Sequence, residues 1–179
     1  MSSLPADDGT RQLTIADPDD ERLQHVAVVG DTYTILISTK QTAGKYCLID
    51  MLIPAGGGPP PHRHDFEEMF QVVEGEVDVT LRAATTRARR GQTVNVPADA
   101  PHSFRNATDE PLRLLCLAAP GGLDEYFQGF GDALPTRSSP APRLSEEQVA
   151  QRMRRAGELA PRYRIEMLDA AEASAERAS

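Results

Sequence analysis

The chain of 179 residues carries 19 basic and 27 acidic side chains, a formal net charge of −8, and 40% of its residues are hydrophobic. These values are typical of a globular domain, alone or with an extension, and exclude a chain that is disordered over most of its length. The acidic balance disfavours nucleic acid and anionic lipid as partners, and the apolar stretches are far shorter than the roughly 20 residues of a membrane-spanning helix.

The two cysteines indicate the compartment. Cys47 and Cys116 lie in apolar segments and lack the spacing of metal ligands, so we expect buried thiols in a reducing environment. The first residues show neither a basic start nor an apolar run, and no secretory signal is therefore expected. The sequence predicts a cytoplasmic protein with no membrane and no nucleic-acid partner.

In chain order, residues 1–24 form an acidic N-terminal arm that we expect to be exposed. Residues 25–120 contain short runs rich in Val, Ile, Leu, Thr and aromatic residues, separated by Gly, Pro, Asp or Asn. The expected strands are 25–29, 32–38, 45–53, 66–74, 76–82, 93–96 and 112–118. Strands this short with such regular turn signals predict an antiparallel sandwich or barrel.

Hydrophobic alternation differs between these strands. In 76–82, Val77, Val79 and Leu81 share one face and polar residues share the other, as in a half-buried strand. In 45–53 both faces are largely apolar, so the outer face needs a cover, either another sheet or a second subunit. This pattern predicts a homodimer.

Residues 121–179 are predicted to form a helical C-terminal extension and tail. The aromatic spacing in 122–131 indicates a helix, and 134–142 is a linker rich in Pro, Ser and Thr. Ser145 and Gln148 have the spacing of a capping box. The second helix is expected to start there and to end near Gly157, and the last dozen residues are expected to form a frayed tail.

Three of the four histidines lie in two patterned segments. His62 and His64 are two residues apart and Glu68 has the same parity, so all three point to one side if the strand continues. Two imidazoles and a carboxylate inside an apolar β-structure need a counter-charge, which a divalent cation supplies. His102 adds a third nitrogen from another strand. The pattern predicts a site for one divalent metal.

These segments resemble the two conserved motifs of the cupin superfamily, G-x5-H-x-H-x3-E-x6-G and G-x5-P-x-G-x2-H-x3-N. The fixed positions are filled by Gly56, His62, His64, Glu68 and Gly75 in the first motif and by Gly91, Pro97, His102 and Asn106 in the second. Asp99 replaces a glycine of the second motif, and Asp is among the few other residues that tolerate a left-handed turn. The resemblance covers roughly residues 25–120.

The resemblance implies an all-β fold: a single cupin jelly-roll-like β-barrel, followed here by the helical extension. It also implies that His62, His64, Glu68 and His102 hold the metal inside the barrel. Imidazole and carboxylate ligands suit Fe, Mn, Ni, Co or Zn and do not choose among them. Four protein ligands leave one or two positions open for water, dioxygen or a chelating substrate.

Strand parity and helical spacing predict the substrate pocket. Phe70 and Val72 share the parity of Glu68, and Phe104 shares that of His102. Tyr126 and Phe127 either cap the mouth of the barrel or pack on its wall. A pocket with these walls is expected to hold a small, largely apolar organic molecule.

Three functions fit the resemblance. The first is a dioxygenase similar to quercetin dioxygenase-like proteins, which acts on a phenolic or enolisable substrate with Glu68 as both ligand and catalytic base. The second is a non-redox isomerase, cyclase or lyase that uses the metal as a Lewis acid. The third is a non-enzymatic module that binds a small metabolite. The fold hosts all three and does not choose among them.

Overall fold

The computed structural model describes residues 4–169 and 172–175. Two antiparallel sheets face each other, which confirms the all-β fold class, and within the described residues they form a sandwich without closing into one barrel. The strands are β1 (Gln24–Val28), β2 (Asp31–Ile37), β3 (Cys47–Ile53), β4 (His62–His64), β5 (Glu67–Glu74), β6 (Glu76–Leu81), β7 (Ala84–Arg89), β8 (Thr93–Val96), β9 (His102–Arg105), β10 (Leu112–Ala119), β11 (Asp132–Leu134) and β12 (Ile165–Met167).

The core lies between the two sheets. The larger sheet has the strand order β11-β1-β2-β3-β10-β5-β8, and the smaller has the order β12-β4-β9-β6-β7. Strand β6 shows how the sequence sets the packing: Val77 and Val79 are buried, while Glu76 and Asp78 are only partly covered. Their alternation places apolar side chains inside and leaves charged ones at the surface.

Strand β3 is central in the larger sheet, between β2 and β10. Its outer face is covered in part by the chain itself, because Asp50 is fully buried beneath two arginines. Arg113 donates to Asp50 Oδ2 at 2.7 and 2.9 Å, and Arg137, from the predicted linker, lies 3.3 Å from Oδ1. Tyr46, the residue immediately before β3, remains 39% exposed. The homodimer stays a prediction.

The helices are α1 (Leu123–Phe130), α2 (Glu146–Leu159), a 3-10 turn (Ala160–Tyr163) and α3 (Glu172–Ala175). The capping box is confirmed, since Ser145 and Gln148 exchange side-chain-to-backbone hydrogen bonds. The predicted end of the second helix near Gly157 is wrong by two residues. Leu159 packs so closely on Gly129 of α1 that a Cβ at residue 129 would collide with the Leu159 side chain. This packing outweighs the low helix propensity of Gly157.

The C-terminal extension also contributes an edge strand to each sheet. Strand β11 pairs with β1 in the larger sheet, and β12 pairs with β4 in the smaller one. The N-terminal arm is mostly exposed from residue 4 onward. Residues 1–3 of the arm, and 170–171 and 176–179 of the predicted tail, lie outside the described residues. No helix in the described part of the chain is long and apolar enough to cross a membrane.

Candidate metal centre

The three motif histidines and Glu68 come together between the sheets. Their ligand atoms all lie within 4.8 Å of one another. Glu68 Oε2 is 3.2 Å from Nε2 of both His64 and His102. His62 is paired in register with His102, and their ring centroids are 4.2 Å apart. These four side chains, which we call the His/Glu cluster, could hold one metal ion.

The two sheets each supply part of the cluster. His62 and His64 lie on β4 of the smaller sheet, whereas Glu68 lies on β5 of the larger one. The strand therefore does not continue from the histidines to the carboxylate, as the parity argument assumed. The chain changes sheets at residues 65–66, so Glu68 faces the imidazoles across the interior and not along a shared strand face.

A backbone carbonyl two residues away in sequence fixes each imidazole ring. The Nδ1···O pairs are His62 with Pro60 at 2.9 Å, His64 with Phe66 at 2.8 Å and His102 with Ala100 at 2.9 Å. A carbonyl oxygen can only accept, so each Nδ1 must carry the proton and donate it. In the neutral ring Nε2 then carries a lone pair that can bind a cation, the arrangement that metal-binding histidines usually have. Such a ring cannot donate from Nε2, so the 3.2 Å contacts of Glu68 Oε2 with His64 and His102 are hydrogen bonds only when those rings are protonated.

Asp99 sets the turn before the third histidine. It has φ of 65°, the left-handed conformation predicted for this replacement of glycine. Its backbone N–H donates to the carbonyl of His64 at 2.7 Å. The turn therefore ties the loop preceding β9 to β4, and it helps to hold His102 opposite His62.

Glu68 is held by a residue whose role the sequence did not suggest. The Cys116 thiol on β10 lies 3.3 Å from Glu68 Oε1 and donates to it, which leaves Oε2 turned to the histidines. Burial raises the pKa of Cys116 well above its ordinary value, so the thiol keeps its proton. Cys116 and Cys47 are both buried and free, as predicted. Only the alignment of β10 beside β5 creates this contact, and one sequence carries no signal for it.

The electrostatics of the cluster suit a cation. Burial by itself would raise the pKa of Glu68, but hydrogen bonds and charge from His102 and His64 outweigh it and hold the pKa well below its usual range. Burial, reinforced by His102, lowers the pKa of His62 to about 3. An ionised carboxylate and a neutral imidazole are the forms that bind a metal. The donor set therefore fits a divalent transition metal.

A cavity of about 230 Å³ opens beside the cluster, with His62 and Glu68 in its wall. Of the predicted pocket residues, Phe104, Tyr126 and Phe127 also line it. The other two, Phe70 and Val72, are 1% exposed and lie in the core outside the cavity lining. The Phe70 ring packs edge-on against Phe104 at 5.1 Å and so supports the cavity wall from behind.

The C-terminal extension closes the cavity on one side. Helix α1 contributes Tyr126 and Phe127, α2 contributes Met153 and Ala156, and β12 contributes two further apolar side chains. The Tyr126 hydroxyl donates to the carbonyl of Ala156 at 3.3 Å and links the two helices. The cavity wall is mostly apolar. The cavity volume falls just below the usual range for pockets that bind drug-sized ligands.

Asp31 and Tyr33 on β2 also line this cavity, and sequence reasoning missed both as site residues. The Tyr33 hydroxyl donates to Asp31 Oδ2 at 3.0 Å. The alternation in β2 marked Tyr33 as inward-facing. No local pattern distinguished Asp31 from the acidic residues of surface turns.

Residues 49–118 match the sequence model of the family described as "Cupin domain". Quercetin 2,3-dioxygenase of Bacillus subtilis is 24% identical over 134 residues, which cover 74% of this chain and 38% of that protein. Polyketide synthase CurC of Streptomyces cyaneus is 38% identical over 60 residues, which cover 33% of this chain and 39% of that protein. The chain thus spans less than two thirds of the length of these curated relatives.

Among solved structures, the polyketide cyclase RemF from Streptomyces resistomycificus has a TM-score of 0.55 to this chain at 21% identity. The likeness covers 83% of this chain and 99% of that one. At this identity it shows a shared fold and nothing about the reaction.

Proposed function

The chain contains a cupin domain over residues 49–118, and we propose that it is a metal-dependent dioxygenase acting on a small phenolic or enolisable organic substrate. One observation carries the proposal: three imidazoles and one carboxylate converge at the wall of a small apolar cavity. His62, His64, Glu68 and His102 would hold one divalent metal.

The four ligand side chains restrict the metal to a group of divalent transition metals but do not identify which one is bound. Nitrogen and carboxylate ligands suit Fe, Mn, Ni, Co or Zn. When bound, the metal would supply Lewis acidity and, if redox-active, electrons for the reaction with dioxygen.

The residues of the chain bind and orient the substrate and take its proton. The aromatic wall of Phe104, Tyr126 and Phe127 excludes water and accommodates an apolar ring. Glu68 accepts the proton of the substrate hydroxyl. Glu68 Oε2 lies 3.2 Å from Nε2 of His64 and His102, and these contacts hold the pKa of Glu68 low and make it a weak base. The carboxylate would therefore have to turn away from the cluster before it accepts the proton.

The similarity to quercetin 2,3-dioxygenase over 74% of this chain supports the oxygenase proposal. The match spans only 38% of that protein, so we extend to this chain the class of reaction and not its particular substrate.

A second candidate is a non-redox cyclase, isomerase or lyase. The 38% identity to a polyketide synthase over 60 residues favours it. So does the presence of two buried carboxyl groups, Asp31 and Glu68, in the wall of one cavity, because such reactions need a proton donor as well as an acceptor.

Oxygen consumption separates the two candidates. Protein loaded in turn with Fe, Mn, Ni and Co is mixed with flavonols, catechols and β-diketones in an oxygen electrode, and each compound is followed by chromatography. The dioxygenase proposal predicts oxygen uptake that matches loss of one compound. Loss of a compound without oxygen uptake would establish the second candidate and contradict the first.

A further inference from the structure

Asp31 has a buried carboxyl group in the cavity wall, and one of its two oxygens accepts no hydrogen bond from the described residues. It is the first residue of β2 and is 4% exposed. Oδ2 accepts the hydrogen bond from Tyr33, whereas Oδ1 accepts none from the part of the chain that the structure describes. Gly57 lies beside Oδ1 in the cavity lining, so close that a Cβ at residue 57 would collide with this oxygen.

The surroundings of Asp31 give its carboxyl group no counter-charge. Within residues 4–169 and 172–175 it forms no ion pair, in contrast to the buried Asp50 with its two arginines. Burial raises the pKa of Asp31 to about 7, partly offset by the hydrogen bond from Tyr33. Burying an ionised carboxyl group without a nearby cation costs free energy. Titratable groups with a shifted pKa in a cleft are often functional.

We propose that Asp31 is a second polar anchor of the cavity, which hydrogen-bonds a hydroxyl or carbonyl oxygen of the substrate through Oδ1. Tyr33 holds the carboxyl group in place. The proposal rests on the proposed function in one respect, that this cavity is the substrate site.

The position of Asp31 defines the substrate class further. Strand β2 is separated from β5, which carries Glu68, by β3 and β10. At about 4.8 Å per strand, the two backbones are on the order of 14 Å apart across the sheet. The two carboxyl groups therefore bind different parts of one molecule. The substrate has an apolar body with one oxygen function directed to the His/Glu cluster and a second, remote one directed to Asp31.

Binding of two naphthols tests the anchor without any turnover. 2,6-Dihydroxynaphthalene has a hydroxyl group at each end, and 2-naphthol lacks one of them. The chain contains no tryptophan, so the fluorescence of either probe can be titrated with little protein background. We expect wild-type protein to bind the diol about fivefold to tenfold more tightly, the effect of one added hydrogen bond.

Substitutions at Asp31 then identify the origin of this preference. Asp31→Leu keeps much of the volume and removes the hydrogen bond, so the ratio of the two dissociation constants should fall to about one. Asp31→Asn can still donate and accept, and it should keep the ratio. Thr32→Val lies on the opposite face of β2 and should behave as wild type. Metal content is measured on every sample, so that a change in the cluster is detected separately.

Several outcomes would contradict the proposed role of Asp31. They are failure of wild-type protein to bind either naphthol, equal affinity for the two, and a preference that survives in Asp31→Leu. If Asp31→Leu does not fold, the milder Tyr33→Phe replaces it. Loss of the orienting hydrogen bond should lower the ratio of the two dissociation constants at least twofold. An unchanged ratio would contradict the role of Asp31. Absence of oxygen uptake would contradict the dioxygenase alone, since the affinity ratio needs no reaction.

Discussion

Replacing Asp31 by Asn should make the protein more stable at neutral and alkaline pH. The carboxyl group has an ordinary pKa of 3.8, and burial raises it to about 7 in the folded chain. The folded state therefore holds the proton more tightly than the unfolded state. Between about pH 4 and 7 the free energy of unfolding falls as pH rises, and above pH 7 the loss is complete. At 1.36 kcal/mol per pH unit, the raised pKa lowers the free energy of unfolding by about 4 kcal/mol above pH 7.

Asn has nearly the same shape, and its carbonyl can accept the hydrogen bond from Tyr33, but it cannot ionise. Urea denaturation of wild type and Asp31→Asn at pH 5, 6, 7 and 8 measures the difference. We expect the gain in stability of the variant to grow by about 2–3 kcal/mol from pH 5 to pH 8, the part of the effect that lies in this range. Asp109→Asn, which removes one charge from an exposed loop, should show no such growth. If the free energies of unfolding of wild type and Asp31→Asn change in parallel with pH, Asp31 does not have a raised pKa in the folded chain.

Two further predictions concern catalysis and assembly. Glu68→Gln should keep part of the metal and lose at least about 100-fold in turnover, because the amide cannot accept the proton. Glu67→Gln, exposed on the opposite face of β5, should change turnover less than twofold, and equal effects of the two variants would contradict the role of Glu68. Light scattering at low micromolar concentration should give twice the chain mass of 19.5 kDa, and a value equal to the chain mass would refute the homodimer.

The candidate metal ligands could be predicted from the sequence because their spacing follows a motif, and for the histidines the strand geometry agrees with it. His62 and His64 share a strand face, and Asp99 adopts the left-handed turn expected of it. Glu68 was identified by its spacing, although the structure places it on the other sheet. Fixed spacing in a motif reflects a conserved path of the chain, so it identifies a ligand even where the local strand argument is wrong.

Long-range pairing could not be read in the same way. Strand β12 has three residues, too few to show a period, and follows a helix and a tight turn before it pairs with β4. The contact from Cys116 to Glu68 depends on the register of two strands far apart in sequence. Asp31 differs from a surface aspartate only in that Gly57 and the cavity enclose it. These features arise from tertiary packing, which local residue patterns do not encode.

Elemental analysis of protein purified without added metal shows whether the His/Glu cluster binds one metal ion. We expect about one equivalent of a divalent transition metal in wild type and none in the double variant His62→Ala/His102→Ala. His25→Ala is the matched control, because His25 is buried but bonds to Thr34 away from the cluster, and it should keep the full equivalent. A full equivalent retained in the double variant, or no metal in wild type, would show that the His/Glu cluster is not a metal site.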